Sequence, residues 1–518
     1  MRPHLRSAAW ALVGWLAAGV LFGSWLWVGQ QPMELVLAGS WTPPLALRLD
    51  ALTVAMGEAI LLPASLLLTF QSRSSGEQAI ALLALAFAEL AVAADSLLLL
   101  AAALGGCAAL LALRTTASGQ NNFSWKSALG AAILLMLAAA LLQTLSHGAA
   151  LLSSVPVTAF TAPVFLLILI AALLCGRWLP GMSYLGWNRG REVLAEILLL
   201  PLGFMLLARA YSLGGGSWPG WWLNDLGIIL GIFLALAGGI GIQRAATARH
   251  QLEEAVRVSS GLALIAFSLG TPLGVAAGLF GVFAASWGSA VSRLCPLGGR
   301  LGLIGLPLAL GAPPGLAFGA MLLTLMAALE IGGSMRFLVV VIGVIWLISW
   351  SGVVRGVSRS VDPYGTEESR AGGYASLLGL LLGGAGGGVL AQLVINPAAA
   401  QLIGSNNPPI SGSLTVVESW PGGFGALGIS LALLLALLGL ASLTTPIRSA
   451  SELDLSDPIS SVSPLPPRSN IISSLCGGAS ELLRLTDYLE RSLIEARPWL
   501  LGAITIGLAI LTYRYVGI

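Results

Sequence analysis

Apolar runs of about 20 residues recur along the whole chain, separated by short stretches where arginine, proline, glycine and serine collect. A run of that length crosses the roughly 30 Å hydrocarbon core of a bilayer as a helix. The pattern predicts spans at 8–28, 50–70, 78–94, 96–113, 127–146, 158–175, 193–211, 223–243, 258–270, 272–292, 301–312, 315–332, 336–354, 373–396, 424–443 and 498–517. Several of the sixteen are short, and 301–312 reads as half of a broken helix. The expectation is therefore an all-α polytopic transmembrane helix bundle of about 14–16 spans, some of them broken. Residues 1–446 make up the polytopic membrane domain in this reading. From 447 to 497 the chain turns Ser- and Pro-rich and then amphipathic, with Leu482, Leu485, Leu489 and Leu493 at helical spacing and charges on the other faces. That predicts a polar linker and a helix lying on the membrane surface, on a partner subunit or on its own protein. Residues 498–518 supply the final transmembrane helix.

Composition agrees with a membrane solvent and removes several function classes. Of 518 residues 57% are hydrophobic and 9% are charged, against roughly 25% charged in a soluble domain. That excludes a soluble enzyme, a nucleic-acid binder and a disulfide-rich secreted domain. The net charge of +2 gives no argument for an anionic partner. Cys107, Cys175, Cys295 and Cys476 form no C-x-x-C pair, so neither an iron–sulfur nor a zinc site is expected. His4, His147 and His250 fall near chain ends or loops, which leaves an intramembrane haem without ligands. No P-loop pattern occurs. No cofactor, no metal, and no redox or hydrolytic site in this chain are expected. The run at 8–28 is long for a signal-peptide core and lacks a small-residue cleavage pattern.

Of the 25 basic residues one, Lys126, is lysine and the rest are arginine. With the N-terminus placed in the cytoplasm, alternate connections carry Arg73, then Arg114 with Lys126, then Arg177, Arg189 and Arg191, then Arg244, Arg249 and Arg257, then Arg293 and Arg300. The opposite connections up to residue 312 hold little beyond Arg48, a positive-inside distribution. The alternation breaks at 355–371, whose Arg355, Arg359 and Arg370 fall on the outer side, which points to a miscounted span around Pro307 to Pro314. Tryptophans such as Trp25, Trp27, Trp41, Trp125, Trp178, Trp221 and Trp222 lie near span ends, the aromatic-belt position.

Charges inside a bilayer are costly and mark functional candidates. Glu58 lies mid-span, Glu89 well inside the next span, and Glu196 at the start of 193–211, which Arg209 closes; Glu330 lies near the end of another. Glu58, Glu89 and Glu196 read either as protonatable stations on a hydrated path or as hydrogen-bonding acids between helices. Asp50, Asp95 and Asp225 read as caps of their spans. Arg209 either reaches an interface or pairs with Glu196, and their thirteen-residue separation makes the pair depend on a break near Pro201. Pro63, Pro163, Pro201, Pro307 and the Pro313-Pro314 pair interrupt apolar stretches, as in the broken helices of transporters or in ordinary kinks.

Five segments carry a resemblance. They are Leu47-Arg48-Leu49-Asp50-Ala51-Leu52-Thr53, Ala94-Asp95-Ser96-Leu97-Leu98, Trp178-Leu179-Pro180 followed by a span ending Gly203 to Arg209, Ile240-Gly241-Ile242-Gln243, and Gly311-Ala312-Pro313-Pro314-Gly315-Leu316-Ala317-Phe318-Gly319. In order and spacing these are similar to the antiporter-like membrane subunits of respiratory and photosynthetic complex I and of Mrp-type sodium/proton antiporters. The resemblance implies a proton- or sodium-translocating membrane subunit of an NADH-quinone-oxidoreductase-type or Mrp-type complex in an energy-transducing membrane. Its partners would be other membrane subunits, the lipid bilayer, and protons or Na+; any redox chemistry would be theirs. Glu58, Glu89, Glu196, Arg209 and Glu330 are the candidate path residues. The family's relay charges, however, fall on Leu104-Gly105, near Leu169, near Ser286 and near Ala320 or Met321. A non-conducting structural subunit of such a complex and a stand-alone solute transporter are the alternatives.

Overall fold

The computed structural model describes residues 3–404 apart from short stretches, the longer of them 39–44, 71–74, 118–123, 147–150, 179–192 and 358–366. The chain divides into Met1–Leu437 and Leu438–Ile518, and every described residue belongs to the first unit. The predicted span at 424–443, the linker and surface helix at 447–497 and the last helix at 498–518 lie outside the described residues.

The described chain is a helix bundle. A first helix, α1 (Pro3–Trp27), leads into a hairpin of β1 (Met33–Ala38) and β2 (Leu45–Leu49), then α2 (Ala51–Phe70), α3 (Ser75–Ala93), α4 (Leu97–Ala117) and α5 (Ser124–Leu145). There follow α6 (Ala162–Cys175), α7 (Val193–Leu213), α8 (Trp221–Arg244), α9 (Ala248–Ser268) and α10 (Pro272–Leu294). A short α11 (Gly305–Ala309), α12 (Leu316–Ile331), α13 (Phe337–Val357), α14 (Glu367–Ala385) and α15 (Gly387–Ile403) complete it. Among the described residues eight helices are long and apolar enough to cross a membrane. Three shorter apolar helices and one pair bent by 61°, Arg370–Gly384 with Gly387–Ile403, add to them. The protein is an integral membrane protein of the all-α polytopic class.

Helices α2, α7 and α10 form the centre, each buried along nearly its whole length. They carry apolar residues on every face, as a helix surrounded by other helices must. Helices α8 and α9 approach closely through glycine: a Cβ on Gly261 would stand 2.5 Å from Ala235 N and 2.7 Å from Gly231 O. Trp25 and Trp178 are buried and serve packing, whereas Trp27 and Trp222 are exposed near helix ends.

Two sequence expectations change. The predicted span 258–270 is the second half of α9, whose first half carries Arg249, His250, Glu253, Glu254 and Arg257. Those charges pair along the helix, Arg249 with Glu253 at 3.2 Å and Arg257 with Glu254 at 2.6 Å. The predicted span 301–312 is not among the helices long enough to cross: its regular helix among the described residues is Gly305–Ala309, followed by a left-handed Gly311. Its loss explains the break in charge alternation. The C-terminal end of α13 packs beside that of α8, where Gln243 Nε2 donates to Ile348 O at 3.2 Å and Gln251 Nε2 to Gly352 O at 3.3 Å. The start of α14 lies against the end of α2, with Gly372 beside Phe70. The connection between α13 and α14 therefore begins and ends on the face of Arg244, together with the other arginine-bearing connections.

Candidate functional site

At the opposite end of the bundle, distant parts of the chain converge on Asp50. This residue precedes α2 and caps it: Thr53 N donates to Asp50 Oδ1 at 2.8 Å. Arg209, in the last turns of α7, donates through Nη1 to Asp50 Oδ2 at 2.6 Å and through Nη2 to Oδ1 at 3.4 Å. Its Nη2 also donates to the Thr53 hydroxyl at 3.1 Å. Gln401, on α15, donates to Asp50 Oδ2 at 3.3 Å, and Arg48 Nε of β2 stands 3.0 Å from the same oxygen. Asp50 is fully buried and Arg209 is 3% exposed. Burial alone would raise the Asp50 carboxyl, but Arg209, Arg48 and the Thr53 amide outweigh it and hold the group below the ordinary carboxylate range. Arg209 thus neither reaches outward nor pairs with Glu196. Helix α7 runs unbroken through Pro201, and thirteen residues at 1.5 Å each put the two about 20 Å apart along it.

Asp95 belongs to the same end but is held differently. It is not a cap, because Ser96 takes that place by accepting from Leu99 N at 3.2 Å. The Asp95 amide donates to Ala46 O at 3.0 Å, and its carbonyl accepts from Leu152 N at 2.7 Å. Its Oδ2 accepts from the Ser153 hydroxyl at 2.6 Å; its Oδ1 is sealed, without a hydrogen bond, 4.0 Å from Arg48 Nη1. Asp225 lies inside α8, which Gly220 precedes, and is not a cap either.

Deeper in the bundle, Glu58 of α2 and Glu89 of α3 face one another. Eight residues separate Glu58 from Asp50, and six separate Glu89 from Asp95. At helical rise these are about 12 Å and 9 Å below the ionic layer. Glu89 Oε2 lies against α2, 2.8 Å from where a Cβ on Gly57 would stand, and the two carboxyls interact electrostatically. Glu58 Oε1 and Glu89 Oε1 are both sealed with no hydrogen-bond partner. Glu196 is partly buried in the first turn of α7, toward the other face. Glu330 is exposed near the end of α12 and joins neither group.

The fold has counterparts in solved structures. A chain of the Mrp complex from Dietzia sp. DQ12-45-1b matches 99% of this chain with a TM-score of 0.68 at 19% identity, and this chain spans 61% of its length. A chain of the membrane-bound sulfane sulfur reductase, an archaeal respiratory membrane complex, matches over 100% of this chain and 99% of its own at TM-score 0.63 and 16% identity. The fold is that of the antiporter-like membrane subunits. A chain of respiratory complex I from Thermus thermophilus adds a TM-score of 0.61 over 78% of this chain and 98% of its own, at 19% identity. No protein-family model and no curated protein matches the sequence.

Within this antiporter-like fold, the positions to which the resemblance assigned relay charges are uncharged; Gly105 is half-buried and the others are buried. Leu104, Leu169, Ala320 and Met321 are apolar and at most 7% exposed. Ser286 of α10 is fully buried, and its hydroxyl donates to Ala59 O of α2 at 2.6 Å. That carbonyl would ordinarily accept from the amide four residues on, but residue 63 is proline and has none. Ser286 therefore satisfies the backbone group that Pro63 leaves open, one residue from Glu58. Lys126, the single lysine, sits at the start of α5 with its Nζ 5.6 Å from the Trp125 ring centroid. Sequence reasoning named Ser286 only as the place of a family relay charge and missed its bond, and it missed Ser153 and Gln401, since hydroxyls and amides leave no mark in a hydropathy pattern. Pro63 did signal an open carbonyl at Ala59, though not what would close it.

Proposed function

We propose that this antiporter-like subunit moves protons across the membrane through the Glu58–Glu89 pair, as one membrane subunit of a larger complex of the NADH-quinone-oxidoreductase or Mrp type. The observation that carries the reading is the pair itself: two carboxyls on facing helices, each with a sealed and unpartnered oxygen. Two acids so placed repel as anions, so the pair is stable with a proton aboard, and a carboxyl that keeps its proton in hydrocarbon is able to pass it on. Asp50 is unsuited to that work, because Arg209, Arg48, Thr53 and Gln401 occupy both of its oxygens. Glu196, partly buried toward the arginine-rich face, is the station that would serve the pair from that side. The arginine-bearing connections, now including the one between α13 and α14, support an N-terminus in the cytoplasm.

The test is proton flux in vesicles holding the full chain together with the membrane subunits that co-purify with it. Glu58→Gln and Glu89→Gln should each depress flux without loss of folded protein. Unchanged flux in both removes the pair from the mechanism. A second reading, a structural subunit that seals a complex without conducting, draws on the apolar residues at the relay positions and on Ser286. It predicts that the unaltered chain adds no flux to its complex.

A further inference from the structure

We propose that Asp95 is the proton-binding residue through which the Glu58–Glu89 pair exchanges with water at the ionic face, and that Arg48 gates it. The proposal rests on the reading of that pair as a proton carrier. The two aspartates of the ionic layer differ in what their oxygens have left to do. Both oxygens of Asp50 are taken by Arg209, Thr53, Arg48 and Gln401. Asp95 is equally buried, yet among the described residues one of its oxygens is held by the Ser153 hydroxyl alone and the other is sealed without a hydrogen-bond partner. An open acceptor in a buried carboxyl is where a proton fits.

Arg48 connects this oxygen to the surface. It belongs to β2, faces Glu34 across the hairpin and keeps 18% of its side chain exposed. In the structure its Nε lies with Asp50 at 3.0 Å, while its Nη1 stands 4.0 Å from Asp95 Oδ1. A charge-assisted hydrogen bond closes at about 2.8 Å, so a movement of about 1 Å would pair Arg48 with an ionised Asp95. Asp50 would keep Arg209 throughout. The charged groups facing Asp95 are Arg48 and Glu34 of the hairpin and Arg209 of α7; Ser153 adds a hydrogen bond. Their sum does not offset burial, which pushes the Asp95 carboxyl above the ordinary range, opposite to Asp50.

The step is a proton transfer. A proton leaves the glutamate pair, crosses about 9 Å along α3 by way of two or three water molecules, and neutralises the Asp95 carboxylate. Arg48 then releases Asp95. When the proton passes to bulk water, the carboxylate is restored and Arg48 closes on it.

The experiment is infrared difference spectroscopy of the full chain in lipid across a pH series, run beside proton flux. The expected result is a carboxyl band that titrates above the ordinary aspartate range, vanishes in Asp95→Asn and titrates higher still in Arg48→Gln. If the spectrum of the unaltered chain minus that of Asp95→Asn shows no carboxyl band titrating above the ordinary range, the proposal is overturned whatever the flux, since bands of Glu58 and Glu89 cancel in that difference. Should Asp95→Asn fail to fold, Arg48→Gln carries the same test without touching Asp95. In flux, Asp95→Asn should lose at least roughly tenfold while Asp95→Glu keeps most of it. Loss in Glu58→Gln and Glu89→Gln but none in Asp95→Asn sinks this proposal and leaves the pair standing. Loss in Asp95→Asn alone keeps Asp95 on a path but sinks the pair, and with it the exchange between the two proposed here.

Discussion

The contact between Ser286 and Ala59 lends itself to a test in which the backbone itself supplies the control. Removing the hydroxyl with Ser286→Ala leaves Ala59 O without that donor and with no amide at residue 63. A buried acceptor stripped of its partner costs about 1–3 kcal/mol, and the methyl side chain of alanine introduces no overpacking. Pro63→Ala restores an amide four residues after Ala59, so the helix can close its own bond. In that background Ser286→Ala should cost less by most of the same 1–3 kcal/mol. The assay is a double-mutant cycle on the full chain in lipid or mild detergent, read by reversible unfolding with helical signal as the probe. Proton flux on the same four proteins adds a second readout, since Glu58 precedes Ala59 and shifts with it. If Ser286→Ala costs as much in the Pro63→Ala background as in the unaltered chain, the hydroxyl is not serving the carbonyl and the argument fails.

The remaining predictions concern the ionic layer, the packing and the topology. Arg209→Met strands a buried carboxylate and should cost about 3–5 kcal/mol, and adding Asp50→Leu should recover much of it; additive losses in unfolding experiments would refute a direct pair. Asp50, whose carboxyl is held low when folded, stabilises the protein above the ordinary aspartate range and loses that contribution as pH falls through its lowered value. Asp95, held high, contributes in the opposite sense: its share is full at low pH and lost as pH rises through the raised value. Acid unfolding of Asp50→Asn should therefore lack a limb that the unaltered chain shows, and retention of that limb would count against the assignment. Gly261→Val, with no room beside Ala235, should destabilise by about 1–3 kcal/mol, and a neutral result would deny the close approach of α8 and α9. A cysteine placed in the 358–366 connection should be labelled from the same side of sealed vesicles as one replacing Arg244, and labelling from opposite sides would restore a span at 301–312.

What the sequence made legible was whatever the membrane itself dictates. Long apolar runs gave α2, α7 and α10 nearly to the residue, because each must be apolar on most of its faces to sit at the centre. It failed where hydropathy and helix formation part company. The 301–312 stretch is apolar enough to span, but Gly302, Gly305, Pro307 and Gly311 interrupt it, and its regular helix among the described residues is the five-residue Gly305–Ala309. Helix α9 runs the other way, since its first ten residues are too charged to look membranous yet are helical through their own ion pairs. The predicted span 373–396 hides a bend of 61° and a π-helical turn at Ala391–Ile395, which together turn α15 so that Gln401 meets Asp50. Asp50 and Arg209 both stood inside the motifs that carried the resemblance, but nothing local reports a contact across 159 residues.

The same contrast bears on how the bundle is held together where the resemblance would put buried charges and this chain has none. A lysine inside a bundle binds helices together through its partners, so replacing it with an apolar side chain removes an attachment as well as a charge. Here α2 is attached without one. Its start is fixed by Asp50 to Arg209 and Gln401, and its middle is fixed by Ser286 to the carbonyl that Pro63 leaves open. Glu58 lies between those two fixtures, eight residues from the first and one from the second. Neither fixture uses its carboxyl, so the group most exposed to change of protonation is also the one on which the position of its helix does not depend. Substitutions at Asp50, Arg209 and Ser286 should accordingly appear first as loss of stability. Those at Glu58 and Glu89 should appear first as loss of flux from a protein that still folds. A reversal of that order in paired measurements would mean that the glutamates hold the bundle together and that the conducting path lies elsewhere.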